Sequence, residues 1–216
     1  MKVALIGATG FVGKALLDEL LARGHDVTAL VRDPAKLASR ARLHVVKADV
    51  LNAEEVRAGV SGADTVISAY NAGWANPDLY NEFMRGTRAI VAGTKAAGVK
   101  RYIVIGGAGS LYAADGTQLV DSPDFPAAIY PGASAARDAL NELRNETSLA
   151  WTQLSPPVAF HPGSATERTG KYRVGSDTPL STGDGPGTIS AADLAVAVVD
   201  ELETPKHVGK RFTVAW

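Results

Sequence analysis

Between an apolar run, Lys2–Ile6, and a stretch of helical periodicity, the chain carries Gly7-Ala8-Thr9-Gly10-Phe11-Val12-Gly13. Few other arrangements limit a fold so tightly. Glycines at a strand-to-helix turn allow a bend that side chains would block, and the first turn of a helix leaves main-chain N–H groups without partners. Gly7 permits the tight turn, Gly10 lets a ligand approach the backbone, and Gly13 lets the helix lie against the sheet. A bare helix N-terminus favours an anion, and a diphosphate is the anion that such a turn receives. The spacing is GxxGxxG, and no Gly-Lys-Ser/Thr follows it. A nucleoside-triphosphate hydrolase is therefore disfavoured.

The rest of the chain continues the alternation. From Phe11 to Arg23, Val12, Leu16 and Leu20 recur every four positions with Leu17 and Leu21 beside them, and Gly24 stops the helix. Strands are expected at Asp26–Val31, Leu43–Ala48, Thr65–Ala69, Arg101–Ile105, Leu149–Leu154 and Arg211–Ala215. Helices are expected at Ala53–Val60, Leu79–Ala97, Ser134–Glu146 and Ser190–Leu202, the last capped by Ser190 with Asp193 in the place of a capping-box acid. Apolar strands alternating with helices predict an α/β fold: a Rossmann-type, doubly wound, mainly parallel sheet with helices on both faces. The segment from Phe160 to Pro186 is rich in Gly, Ser, Thr and Pro and reads as a long loop. Loops of that length are more often functional than structural. A single domain over 1–216 is expected, with a small substrate-side portion from about 155 to 190.

Composition removes several classes of function. Lys plus Arg is 22 and Asp plus Glu is 23, so the net charge is −1 and no long-range field exists to hold a nucleic-acid backbone. Cysteine is absent, which excludes disulfides, thiolate metal sites and a cysteine nucleophile. The scattered His25, His44 and His207 show no metal-ligand spacing. No stretch approaches the roughly 18 apolar residues of a membrane span, and the opening run is broken by glycine. A soluble protein of the cytoplasm is expected, acting on a small-molecule substrate, without nucleic acid or membrane partners.

The end of the second strand decides which dinucleotide is preferred. An acid there favours a free ribose 2′-hydroxyl and an arginine a 2′-phosphate. The sequence is Val31-Arg32-Asp33-Pro34, with Arg32 offering a planar fork of donors and Asp33 opening an Asp-Pro turn. NADP(H) is thus favoured, with NAD(H) left open and a solvated Arg32 as the plainer reading.

GATGFVG, ALVRDP, VVKADV, VISAYNAG, YIVIGGAGS, WTQLSPP and SAADLAVAVVDELE occur in this order across the chain. Together they resemble the atypical and extended short-chain dehydrogenase/reductase superfamily. Within it, the small size and the SPP…RTGKYRVG…ISAADLA pattern resemble the NAD(P)H-binding group, which includes NADH-flavin reductases, biliverdin reductase B-like enzymes, epimerase/dehydratase-type proteins and dinucleotide-binding regulators. The resemblance implies that Gly7, Thr9, Gly10, Phe11 and Val12 wrap the pyrophosphate and Arg32 meets the 2′-phosphate. It also implies that Asp49 and Val50 contact adenine, that Ser68, Ala69 and Tyr70 line the ribose, and that Gly106, Gly107 and Ser155 to Val158, Pro156 among them, border the nicotinamide. Asp49 as a helix cap and Ser68 as a strand-end turn residue are the plainer alternatives.

Typical members of that superfamily use Ser, Tyr and Lys, with Tyr-xxx-Lys on a helix. Here Tyr130 is followed four places later by Ser134, and matching the apolar stripe instead puts Ala133 and Arg137 in the two places. Ala108 stands where the serine is usual, with Ser110 two residues on. Direct hydride transfer to a small aromatic acceptor such as a flavin escapes this gap, because such an acceptor takes its proton from solvent. Ser110, Tyr112, Tyr130 and His161 are the polar groups expected near such a site, and Ser110 and Tyr130 are the candidate catalytic groups. Loop packing for the tyrosines and a turn role for His161 are the alternatives. Trp74 is a candidate cover for a ring or a plain loop residue, and Arg168-Thr169-Gly170 a candidate lid or a turn. A non-catalytic dinucleotide sensor and a nucleotide-sugar epimerase or dehydratase are the rival functions. A homodimer through the helices at Leu79–Ala97 and Ser134–Glu146 and a monomer are both left open.

Overall fold

The computed structural model describes residues 1–164 and 166–216. In chain order the elements are β1 (Lys2–Ile6), α1 (Phe11–Ala22), β2 (Asp26–Val31), β3 (Leu43–Lys47), α2 (Ala53–Val60), β4 (Thr65–Ser68), α3 (Leu79–Ala96), β5 (Arg101–Ile105), α4 (Tyr130–Arg144), β6 (Ala150–Ser155), β7 (Arg173–Gly175), β8 (Ser181–Thr182), β9 (Gly185–Pro186), α5 (Ala191–Glu203) and β10 (Lys210–Ala215). The described residues form an eight-stranded sheet in the order β3-β2-β1-β4-β5-β6-β10-β7. Neighbours pair in parallel except β10 with β7. This is the doubly wound Rossmann-type α/β sheet that the alternation predicts.

Burial on both faces explains why β1 and β4 read as unbroken apolar runs. On one face Val3, Leu5, Ile103 and Phe212 pack against Leu16 and Leu20 of α1 and Leu194 and Val198 of α5. On the other, Ala4, Ile6, Val66, Tyr102 and Trp151 meet Val56 of α2, Ile90 of α3 and Leu140 of α4. Local signals set the helix ends. Asn52 accepts the N–H groups of Glu54 and Glu55 to start α2, and Ser190 Oγ accepts that of Asp193 to start α5. Gly24, at φ +79°, ends α1. Among the described residues no helix is long and apolar enough to cross a membrane.

Two expectations need correction. The helix expected at Ser134–Glu146 begins at Tyr130 and ends at Arg144. Pro131 sits in its first turn, where a missing N–H costs nothing, and Ser134 is no cap, since its hydroxyl donates back to the Tyr130 carbonyl at 2.7 Å. The stretch from Phe160 to Pro186, in which Ala165 lies outside the described residues, is not one loop. Val174 pairs with Val214 in the antiparallel edge strand β7, and β8 and β9 form a hairpin turning at Gly183. Strands of two or three residues are too short to show a period of two.

Candidate functional site

The chain reverses its direction of winding between β1 and β4, and the crevice of an open α/β sheet opens at that point, beyond the strand ends. Gly7 closes β1 there with φ +84°. A side chain at Gly7 would lie 2.5 Å from the Ala69 carbonyl at the end of β4. Gly10 N–H donates to the Gly7 carbonyl at 2.9 Å and completes the turn. A Cβ at Gly13 would fall into the Gly7 carbonyl group, 2.6 Å from its carbon, so only glycine lets α1 sit down on the turn. Gly10 caps α1 without any side-chain acceptor. A Cβ on Gly10 would meet nothing closer than the Gly7 oxygen at 3.3 Å, so its outer side is open to a ligand. The first-turn amides of α1, with Thr9 and Val12 beside them, form a concave donor set that fits a diphosphate. Phe11 and Phe160 flank it with ring centroids 5.2 Å apart.

Arg32 follows β2, is exposed, and makes no side-chain hydrogen bond or ion pair among the described residues. Its charge reaches Tyr70, where it opposes the upward pull on the hydroxyl. Asp33 turns away from the crevice, its carboxylate accepting the Ala35 N–H at 3.1 Å. Asp49 and the buried Val50 follow β3. Asp49 does not cap α2, a role Asn52 fills; its side chain accepts the Leu51 N–H at 3.0 Å and its own N–H donates to Glu55 at 2.8 Å.

At the end of β4, Ser68 Oγ lies 3.4 Å from the Tyr70 N–H. The Tyr70 ring is packed down against α3, stacked on Phe83 at 5.8 Å, with its hydroxyl donating to the Glu82 carbonyl at 3.2 Å. Burial pushes that hydroxyl up to about 12. Ala69 and the Tyr70 main chain therefore stand at the crevice. At the end of β5, Gly106 leaves no room for a side chain because the Gln153 carboxamide occupies the place. Gly107 follows, and Pro156 is buried directly after β6. The predicted cofactor residues thus gather along one edge of the sheet.

The candidate catalytic pair is not brought together. Ser110 is buried, donating to the Gly107 carbonyl at 3.1 Å and standing 3.4 Å from Ser155 Oγ. Arg211 Nη1 donates to the same hydroxyl at 3.2 Å. Tyr130 lies at the exposed start of α4, edge-on to Phe125 at 6.3 Å, and no hydrogen bond joins it to Ser110 among the described residues. Arg137 is held by Asp121 and Asp138. Trp74 is largely exposed but packs on Gly132 of α4. His161 is a turn residue, its Nδ1 accepting the Gly163 N–H at 3.0 Å. Sequence reasoning missed Arg211, whose buried guanidinium also grips Asp177 and lies 5.7 Å from the Tyr112 ring centre. A charged residue inside the apolar run Arg211–Ala215 was the available signal.

Arg168-Thr169-Gly170 is pinned. Arg168 donates twice to Glu19 at 2.9 Å, and the Asp193 carboxylate accepts from Thr169 N, Gly170 N and Trp216 Nε1. Of the two readings of the triplet, lid or turn, these tethers and the φ of +71° at Gly170 favour the turn.

Strand ends, glycine cradle and bare helix terminus define a Rossmann-type protein built to hold a nicotinamide dinucleotide. The chain belongs to the NAD(P)H-binding family, whose model matches residues 7–205. It is 39% identical to the uncharacterized Bacillus subtilis protein YwnB, over 99% of this chain and 98% of that protein. A structure from Bacteroides thetaiotaomicron, provisionally assigned as an epimerase, matches with TM-score 0.91 and 44% identity over 100% of this chain and 96% of the other. One from Streptococcus pneumoniae, provisionally assigned as an NADH-flavin reductase, matches with TM-score 0.86 and 36% identity over 100% and 99%.

Proposed function

We propose that the protein is an NAD(P)H-dependent oxidoreductase that passes hydride directly to a small aromatic acceptor, in the manner of a flavin reductase. The observation that carries this reading is the dinucleotide cradle beside a site with no paired tyrosine and lysine among the described residues. When bound, the reduced nicotinamide supplies the hydride. The residues of the chain position it: the α1 amides take the diphosphate, Ala69 and the Tyr70 main chain border the ribose, and the main chain at Gly106 and Gly107 borders the reactive ring. Ser110, tied to Gly107 and Arg211, fixes that turn. Tyr130, Phe125 and Trp74 offer an aromatic surface to the acceptor, whose proton comes from water. Holding two rings about 3–3.5 Å apart is then the main task. The neighbour named as an NADH-flavin reductase supports the acceptor class. An epimerase, the other neighbour's assignment, needs the acid/base pair that is absent from α4.

Steady-state oxidation of NADPH with free flavins and quinones tests the proposal. Saturable turnover is expected; nucleotide binding without oxidation of either acceptor class would leave the sensor reading instead. Tyr130→Phe is expected to alter the rate by less than about 3-fold, against the roughly 10²–10⁴-fold lost with a general acid. A 100-fold loss would make Tyr130 the proton donor.

The Arg32 guanidinium, unpaired among the described residues, supports a preference for the 2′-phosphate, since a charge-assisted hydrogen bond is worth about 1.5–3 kcal/mol. Arg32→Ala is accordingly expected to lower kcat/KM for NADPH by roughly 10–100-fold and leave NADH unchanged. Equal losses with both nucleotides would refute the preference.

A further inference from the structure

A second cavity lies beside the dinucleotide crevice and meets it at Gly106. Between α3 and α4, over β5 and β6, the chain leaves a cleft of about 650 Å³. That is within the range of small-molecule sites, roughly 300–1,000 Å³. Its walls include Phe83 and Val91 from α3 and Ala136 and Ala139 from α4, and its floor includes Tyr102 and Gln153. Small side chains on the helices keep the walls low. Arg88 reaches Glu142 at 2.5 Å and Lys95 reaches Glu146 at 2.7 Å, so charged residues of the cleft neutralise one another as struts between the helices. From Phe83 to Ala96 the cleft follows α3 for on the order of 20 Å.

The floor carries a polar group that the fold itself does not use. The Tyr102 hydroxyl is not that group: it is sealed off from the cleft, wholly buried with the Ser68 side chain beside it. Gln153 is buried as well; its amide reaches Ser155 Oγ only at 3.4 Å, and its carboxamide oxygen accepts no hydrogen bond among the described residues. Buried polar groups are nearly always paired, and leaving one alone costs about 1–3 kcal/mol. An apolar cleft with an unspent carboxamide on its floor has the construction of a ligand site.

We infer that the α3/α4 cleft binds a small, uncharged, largely apolar molecule carrying a carbonyl or hydroxyl oxygen. The walls select the apolar body. The paired rim charges offer nothing to an ion. The Gln153 carboxamide takes the oxygen function. Gln153 also fills the space beneath Gly106, so an occupant would press on the strand end that borders the dinucleotide crevice.

The test uses prodan, an uncharged aromatic ketone whose emission moves to the blue in apolar surroundings, titrated into the protein without nucleotide. Saturable one-to-one binding with blue-shifted emission is expected. Ala139→Trp and Val91→Trp fill the cleft from opposite walls, and each is expected to weaken the dye by at least ~10-fold while circular dichroism and nucleotide binding persist. Should one of them fail to fold, the other decides. Gln153→Leu is expected to weaken the dye by about 3–10-fold while circular dichroism holds, because the carboxamide oxygen takes no hydrogen bond from the fold among the described residues. Absence of saturable binding overturns the inference. So does unchanged binding in the filled variants, or a dimer by sedimentation whose second copy excludes the dye. None of these results depends on the proposed oxidoreductase activity.

Discussion

A single methyl group at position 13 is expected to cost this protein both its ligand and much of its stability. In Gly13→Ala the new Cβ must occupy space held by the Gly7 carbonyl, and both partners are main chain, so neither can rotate away. Helix α1 would have to lift from the turn, at about 3 kcal/mol for forced overpacking. The lifted helix no longer aims its first amides at the crevice, and nucleotide affinity should fall by at least ~100-fold. Gly10→Val separates the two effects. Around a Cβ at Gly10 the fold offers only the Gly7 oxygen at 3.3 Å, so the side chain projects outward into the ligand's place. Melting temperature should change little and binding should be lost. Calorimetric titration of NADP(H) with parallel thermal melts checks both; a Gly10→Val protein that binds normally would remove the cradle from the site.

Asp193→Ala is expected to destabilise the fold by about 3–5 kcal/mol, since several donors lose one charged acceptor at about 1–3 kcal/mol for each left unsatisfied. The carboxylate is wholly buried at the start of α5. It gathers the N–H groups of Thr169 and Gly170, the Thr169 hydroxyl at 2.5 Å and the Trp216 indole at 2.7 Å. Alanine would strand all of them. Burial opposes the Asp193 charge, but these donors outweigh it and hold its pKa below the usual carboxylate value. Glu19 is lowered in the same way, burial being outweighed by Arg168 and Arg23. A depressed folded-state pKa gives stability that is complete above the unfolded value of about 4 and is lost as pH falls through the folded one. Denaturation followed from pH 6 downward should therefore show stability falling below about pH 4. Asp193→Asn should flatten that fall. An unaltered acid limb would show that the network does not govern it.

The order of elements from Lys2 to Val60 was legible because each had an independent marker: an unbroken apolar run, a fourfold stripe, a cap or a stop. The turn at Gly7 to Gly13 was legible because steric demands leave glycine no substitute there. The long segment after Phe160 was not, because its order comes from outside itself. Arg168 is fixed by α1, Thr169 by α5, and β7 by β10, and no local periodicity records such partners. The start of α4 was misplaced for a related reason. Ser134 has the chemistry of a cap, and only the structure shows its hydroxyl spent on the Tyr130 carbonyl. Arg211 went unseen although it holds Ser110, since a sequence does not say which strand stands beside which.

The anchoring of Thr169 and Gly170 to Asp193 has a reach beyond that one turn, because the same carboxylate accepts the Trp216 indole N–H. Three stretches far apart in sequence thus meet on a single acceptor at the start of α5. Removing it would loosen all three together, as drawing one rivet frees every plate it joins.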